Sequence, residues 1–520
     1  MKKDVDEEIN KGLKLIVKSS FIIFISLLLS KILIYAYRVV IARYYGPEVY
    51  GLFSLAVIIL NFFVAVFSLG FADGLLRFIP WYNGRKEYNK TKYLIHLSLT
   101  ILFFLGILSA ILLFFLSDII SIKFFHNSDL IIFLKIFSFL VPIYIFTNIF
   151  LYILHAFEKI GWNSFILNIL QNVVKLITLV LFLYLGLKTN AIIFSFFLGI
   201  FSMFLISFII YKKLLLKLKI KKPLTIKDKK QIHKEFFPYS WPLLFSGILS
   251  YLLMWVDSFT LGYFKDASIV GLYNVAIPLV ILLRFVPELF LKLFFPLVTK
   301  GFSKNNLLYV KELSKQVGKW IFIFNLPLLI IILLFPTEII TLLFGKEYIA
   351  VAIPLQILSI GYFIITSVFI SQNLLTIAGK TKLILLNTIF SLVLNLILNI
   401  LFIPKPFILN MDNSQGMIGA ALATTIVNIL SSVIILFQAK YYTSIIPIRK
   451  KMIDILFISF IPLFLIVFIK NYLILNFVSL LLLISLLLLL YSLLLLLTNS
   501  LDKKDFMILK IFGNRIFKIK

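Results

Sequence analysis

From Ser19 to Leu497, apolar runs follow one another with only short polar breaks between them. Each run is about twenty residues or longer, enough for a helix to cross a hydrocarbon core roughly 30 Å thick. Hydrophobic residues make up 62% of the 520 residues and charged residues only 14%, against about 25% charged in a soluble domain. Folded in water, most of that surface would remain exposed. The bilayer is therefore the solvent, and the chain reads as an all-α integral membrane protein.

Fourteen spans are expected, near 15–37, 50–80, 93–116, 130–153, 164–186, 191–211, 237–262, 273–298, 319–336, 350–374, 383–403, 417–439, 452–470 and 472–497. The stretch 50–80 is too long for one straight crossing, so it tilts or ends in an interfacial turn near Asp73. Pro142, Pro278, Pro287 and Pro354 fall inside spans, where neighbouring helices can satisfy the freed carbonyls. With the amino terminus inside, the loops expected to be cytoplasmic hold most of the Lys and Arg, among them Arg85, Lys86, Lys90, Lys92 and the ten lysines from Lys212 to Lys234. The loops expected to be outside hold few, including Arg43, Lys123 and Lys265. Losing one span would swap the sides of every later loop, so both termini are expected in the cytoplasm, at the cell membrane. This orientation accounts for the formal charge of +29 without nucleic acid as a partner.

The longest polar stretch divides the chain nearly in half. It gives an amino-terminal six-helix bundle over 1–211, a basic cytoplasmic linker over 212–236 and a second six-helix bundle over 237–439. Residues 440–520 supply two extra spans and a basic tail. An internal echo supports a parallel repeat: Gly51-Leu52-Phe53 with Ala56 matches Gly271-Leu272-Tyr273 with Ala276, at an offset of 220. Chance matches in so biased a composition are the competing explanation.

Several chemistries are excluded. There is no cysteine, hence no disulfide, thiolate metal site or cysteine nucleophile. His96, His126, His155 and His233 show no ligand spacing, and no metal or other cofactor is expected. The apolar stretch after the mixed-charge amino terminus is too long for a signal-peptide core and reads as a retained first helix. Ala378-Gly379-Lys380-Thr381 imitates the end of a phosphate-binding loop, but Leu374 stands where that loop needs glycine and no soluble strand precedes it. No loop is large enough for a nucleotide-sugar domain, so the chain is not expected to be an enzyme.

Ionisable residues inside spans are informative, because each costs about 2.5–3.5 kcal/mol at a helix centre. Lys175 lies mid-way along the fifth span, too deep to snorkel easily. Arg284, Glu288 and Lys292 stand four apart on one face of the eighth span, and Lys31 and Arg38 seven apart on one face of the first, with Tyr35 between them. Asp257 sits in the outer half of the seventh span and Lys135 near the outer end of the fourth. Snorkelling is the plain alternative for Arg38, Lys135 and Lys292. Asp73 and Arg77 are expected to pair, Glu288 has the alternative role of neutralising Arg284, and Asp257 that of pairing with a lysine of the other bundle. The mid-membrane balance is positive, and a cationic cavity implies an anionic cargo.

The sequence resembles the polysaccharide flippases, the lipid-linked oligosaccharide and O-antigen-type branch of the multidrug/oligosaccharidyl-lipid/polysaccharide exporter superfamily. The turn from Ala42 to Phe53, with Gly46-Pro47-Glu48 and Tyr50-Gly51-Leu52-Phe53, is similar to the family's first hairpin. Leu69 to Phe78 is similar to the end of its second helix, and Asp257-Ser258-Phe259, Leu261 to Phe264 and Val270 to Tyr273 to the echo opening its second half. Ala378 to Lys382 resembles its loop between helices ten and eleven, and Asn395, Asn399, Ile403-Pro404 and Gly419 to Thr424 its eleventh and twelfth helices.

The resemblance implies a transporter with two rocking lobes that flips a polyprenyl-diphosphate-linked oligosaccharide by alternating access, for surface polysaccharide or glycan biosynthesis. Arg284 and Lys175 would hold the diphosphate, Lys31 and Lys292 extend the positive path, and Asp257 and Glu288 balance or couple it. At position 31 lysine stands where arginine is more usual. Membrane lipids are the other expected partners, and glycan-assembly enzymes are candidates. Two rival functions remain at this point: a cation-coupled exporter of small organic cations from the same superfamily, and a non-transporting scaffold of a glycan-assembly complex.

Overall fold

The computed structural model describes residues 2–216, 224–304, 306–404, 415–473, 476–498, 500–502 and 505, with the side chains of 2–27, 292, 293 and 415 outside that description. Among the described residues the chain is helical throughout. The first half holds α1 (Lys2–Phe67), α2 (Phe71–Gly84), α3 (Tyr88–Asp118), α4 (Leu130–Ala156), α5 (Ile160–Ser164), α6 (Gln171–Tyr184), α7 (Asn190–Leu216) and α8 (Ile226–Phe264). Then come α9 (Ala267–Ser303), α10 (Leu307–Leu334), α11 (Pro336–Leu343), α12 (Ala352–Ser367), α13 (Phe369–Ile377), α14 (Thr381–Phe402), α15 (Gln415–Thr443), α16 (Lys450–Lys470) and α17 (Phe477–Leu497).

Thirteen of the described helical stretches are long and apolar enough to cross a membrane. The first of them, Leu28–Phe67, has 40 residues, about 60 Å at 1.5 Å per residue and twice the hydrocarbon thickness. It holds two spans, because Gly46 leaves helical geometry at φ 78°, ψ 179° and Pro47 follows it. Only glycine adopts such a backbone readily. Counting both halves recovers the fourteen expected spans. The long stretch 50–80 divides at Leu69 and Gly70, both at positive φ, so the interfacial turn falls just before Asp73.

By its contacts the chain forms two compact units, Leu27–Gly271 and Met1–Ser26 with Leu272–Lys520. Within the first, a Cβ on Gly51 would collide with the carbonyl of Ala267, and a Cβ on Gly271 with the carbonyl of Pro47. Pro47 and Ala267 are 220 residues apart, as are Gly51 and Gly271. The echoed segments therefore pack backbone against backbone, each glycine making room for the other's helix.

The second unit is joined by polar contacts. Along α14, Asn387, Ser391, Asn395 and Asn399 recur every fourth residue; the first three bond to α15, and Asn399 donates to Asn395 at 3.0 Å. Asn387 and Gln438 exchange hydrogen bonds at 2.7 and 3.0 Å, Ser391 meets Ser431 at 2.7 Å, and Asn395 donates to Thr424 at 3.0 Å. Such amide and hydroxyl pairs join helices where lipid offers no hydrophobic drive between them. Elsewhere Lys319 of α10, fully buried, donates to Asp502 at 3.1 Å and to Asp505 at 2.5 Å. Asp505 also accepts from Gln316 and from the Trp320 indole at 2.8 Å. Asp502 accepts from Arg449 at 3.1 Å and pairs with Lys451. This cluster ties the chain beyond α17 and the start of α16 to α10, and puts those ends on one membrane face. Burial pushes the Asp502 carboxyl up, and the ammonium groups of Lys451 and Lys319 outweigh it, so its pKa is lowered.

Removing one partner from a buried pair leaves the other uncompensated, at about 3–5 kcal/mol. Lys319→Met should accordingly lower the thermal midpoint in detergent, and Lys319→Met with Asp505→Leu should recover much of the loss. Because the folded carboxyl of Asp502 titrates below its unfolded value of about 3.9, its contribution is complete above that pH and fades as the pH falls through the folded value. An unchanged midpoint in Lys319→Met would show that the cluster does not hold α16 and α17.

Candidate functional site

The six singled-out residues divide between the units. Lys31, Lys175 and Asp257 belong to Leu27–Gly271, whereas Arg284, Glu288 and Lys292 belong to the unit that begins at Leu272. The side chain of Lys292 lies outside the described residues.

Lys175 is placed by a change of helical pitch. A π-helical turn, Phe165–Leu170, links α5 to α6, and such turns recur at functional positions. One turn on, the Lys175 ammonium lies 3.3 Å from the Gln171 side-chain oxygen and 4.3 Å from the centroid of the Phe196 ring on α7. Its stem rests on Gly199, where a Cβ would collide with the Lys175 Cγ. The charged neighbour whose field reaches it is Arg38, a like charge. Arg38 in turn donates to the Tyr50 hydroxyl at 3.2 Å, and beside it Tyr37 is buried against Ser195 at 3.1 Å. Lys31 stands two turns before Arg38 on the same helix face. Among the described residues no carboxylate lies within ion-pair distance of Lys31, Arg38 or Lys175. Asp257 is buried, only 6% exposed, and engaged in a polar or electrostatic contact of its own.

On α9, Arg284 is exposed and Glu288 half-buried. Although four residues apart, they form no salt bridge with each other, and Arg284 has no ion-pair partner among the described residues.

Elsewhere the fold does supply partners. Lys135 pairs with Asp118 at 3.1 Å and lies over Phe114, so it is neutralised where snorkelling was the alternative. Lys470 pairs with Glu338 at 2.9 Å. The expected Asp73–Arg77 pair does not form. The Arg77 guanidinium lies 4.2 Å from the Tyr239 ring centroid, a cation–π contact with α8 that local spacing could not reveal. Lys380, in the loop that imitates a phosphate-binding motif, lies 4.7 Å over Tyr442.

Gln171, Phe196 and Gly199 are additions to the residues singled out by charge, Arg38 among them. Gln171 and Lys175 carry a readable signal, a polar pair at i and i+4 in an apolar span. Phe196 and Gly199 carry none, because their part is set by how α6 packs on α7.

The succession of long apolar helices defines a polytopic membrane protein. The chain matches the family described as polysaccharide biosynthesis protein over residues 16–302 and belongs to it. It also matches the MatE family over 242–401. Two curated relatives are each 28% identical: an uncharacterized membrane protein of Methanocaldococcus jannaschii over 254 residues (46% of this chain) and the probable low-salt glycan biosynthesis flippase Agl15 of Haloferax volcanii over 217 residues (42% of this chain). The chain spans 46% and 43% of the lengths of these relatives, respectively.

Among solved structures, the lipid II flippase MurJ in an inward closed conformation superposes with a TM-score of 0.66 at 21% identity, covering 91% of this chain and 98% of that one. An inward-facing multidrug resistance MATE family transporter of the MOP superfamily superposes at 0.64 and 15% identity, covering 80% and 94%. These last two are likenesses of fold.

Because the Lys175 stem fills the space over Gly199, Gly199→Val should lower the thermal midpoint in detergent. Overpacking of this kind costs about 1–3 kcal/mol. Gly84→Val, where an added Cβ meets nothing within 4 Å, should leave the midpoint in place. Equal effects of the two exchanges would contradict the packing of Lys175 on α7.

Proposed function

We propose that this protein flips a polyprenyl-diphosphate-linked oligosaccharide across the cytoplasmic membrane by alternating access, in surface polysaccharide or glycan biosynthesis. The observation that carries the proposal is the set of cations left without carboxylates inside the spans. Lys175 and Arg38 sit as like-charged neighbours, and Arg284 is exposed and unpaired among the described residues. Each would cost about 2.5–3.5 kcal/mol at a helix centre facing lipid. A water-filled path removes that cost, and a diphosphate turns it into charge-assisted hydrogen bonds, for which the guanidinium fork is well shaped.

In this account Arg284 and Lys175 hold the diphosphate, Lys31 and Lys292 extend the positive path, and Asp257 and Glu288 balance or couple it. Arg38 joins the first group. The two rocking bodies are the bundles 1–211 and 237–439, with both termini cytoplasmic. The lipid tail stays in the bilayer while the sugars follow the polar path. Membership of the polysaccharide biosynthesis protein family and similarity to a probable glycan biosynthesis flippase support this cargo over an organic cation. An exporter of cations would not gain from like charges of this sign in its path.

The test is reconstitution into liposomes with a fluorescent polyprenyl-diphosphate sugar, scoring headgroup access to an impermeant reagent. Wild type should equilibrate the two leaflets, and Arg284→Ala or Lys175→Ala should slow flipping at least about tenfold, a loss of roughly 1.4 kcal/mol of transition-state stabilisation, with the fold intact. Export of an organic cation by wild type, without flipping, would overturn the proposal. So would full flipping by both variants.

A further inference from the structure

The structure gathers a second cationic feature on the face that the Lys and Arg distribution assigns to the cytoplasm. We propose that the end of α2, the start of α3 and the start of α8 together form a binding surface for anionic phospholipid headgroups of the inner leaflet. The proposal does not depend on what the protein transports.

Two stretches far apart in sequence, near residues 81–96 and 225–241, are joined by side chains. Tyr82 donates to Glu235 at 3.0 Å, and Tyr93 meets His233 at 3.0 Å with the rings stacked. Lys229 of α8 lies 5.5 Å over the Tyr93 ring of α3. One surface therefore carries the exposed Arg85, Lys86 and Lys92 from one stretch and Lys227, Lys229 and Lys230 from the other.

The acids of these stretches each have a partner in the protein. Glu235 accepts from Tyr82 and from Gln231, Glu87 pairs with Lys90 at 3.2 Å, and Asp228 accepts from the backbone and hydroxyl of Thr225 to cap α8. The three acids are outnumbered by Arg85, Lys86, Lys90, Lys92, Lys227, Lys229, Lys230 and Lys234, so the surface is net positive. Part of it is held in place, since the Arg85 guanidinium lies 4.4 Å from the Trp81 ring centroid.

The level of the surface is marked by Trp81 and Trp241, 52% and 56% exposed. Tryptophan rings exposed at the ends of spans settle among lipid headgroups, so the cations beside them meet phosphates there. Orientation during insertion requires only that positive charge be present on this side. It does not require that the cations of two loops be assembled into one surface. Basic clusters at this level attract anionic headgroups over about a Debye length.

The full chain, purified in neutral detergent, would be mixed with equal amounts of phosphatidylglycerol and phosphatidylcholine and its retained lipids weighed by native mass spectrometry. Wild type should retain phosphatidylglycerol about tenfold over phosphatidylcholine, a difference of roughly 1.4 kcal/mol. Combined Arg85→Gln, Lys86→Gln and Lys229→Gln should bring the ratio near parity. Combined Lys300→Gln, Lys311→Gln and Lys382→Gln, an equal loss of charge elsewhere on that face, should leave it unchanged. Should the first combination fail to fold, single Lys86→Gln and Lys230→Gln exchanges should each remove part of the preference. Equal losses in the two combinations would overturn the proposal in favour of diffuse charge. Complete displacement of the lipid by soluble inositol hexakisphosphate would overturn it in favour of a free polyphosphate ligand.

Discussion

A charge in hydrocarbon must find a partner or a polar space, and the rest of this structure is arranged around that constraint. Where a cation serves the scaffold, the fold neutralises it. Lys135 meets Asp118, Lys470 meets Glu338, and the buried Lys319 is enclosed by two aspartates. Within the spans, Lys31, Arg38, Lys175 and Arg284 are treated differently, being left without carboxylates among the described residues. The same chain thus supplies its own control. Acids are available and are spent at the ends of helices, while the deep cations have none within ion-pair distance among the described residues.

Within each unit the helices pack closely. Glycine permits this where backbones approach, at Gly51 and Gly271, and where a long side chain must lie flat, at Gly199 beneath Lys175. Amide and hydroxyl pairs support it between α14 and α15, where Asn387, Ser391 and Asn395 of one helix each find a polar partner on the other. The π-helical turn before α6 and the break at Gly46 interrupt regular geometry where polar side chains must be aimed. These irregularities fall in the spans that carry Lys175 and Lys31.

Much of the fold was legible because hydropathy and loop charge are strong signals in a chain whose solvent is lipid. The number of spans could be read from the apolar runs, including the two that α1 carries across Gly46. The family could be read from an ordered set of short motifs, none of them specific alone. The deep cations were visible as exceptions in apolar runs. What could not be read was set by tertiary packing. Arg77 prefers the face of Tyr239 to the nearby Asp73, and Phe196 and Gly199 acquire a role only because α6 packs on α7. The cluster around Lys319 joins residues more than 180 positions apart, beyond the reach of any local pattern.

The central claim, that the deep cations face a polar path for an anionic cargo, is tested most directly by water accessibility. The chain has no cysteine, so Lys175→Cys and Arg284→Cys each introduce a single thiol, with Phe457→Cys on α16 as a lipid-facing control. Both deep positions are predicted to react with a charged, membrane-impermeant thiol reagent in opened vesicles, and to be protected by a polyprenyl-diphosphate sugar. The control is predicted to react only with a membrane-soluble maleimide. If both deep positions behave like the control, their cations face lipid and the cavity does not exist.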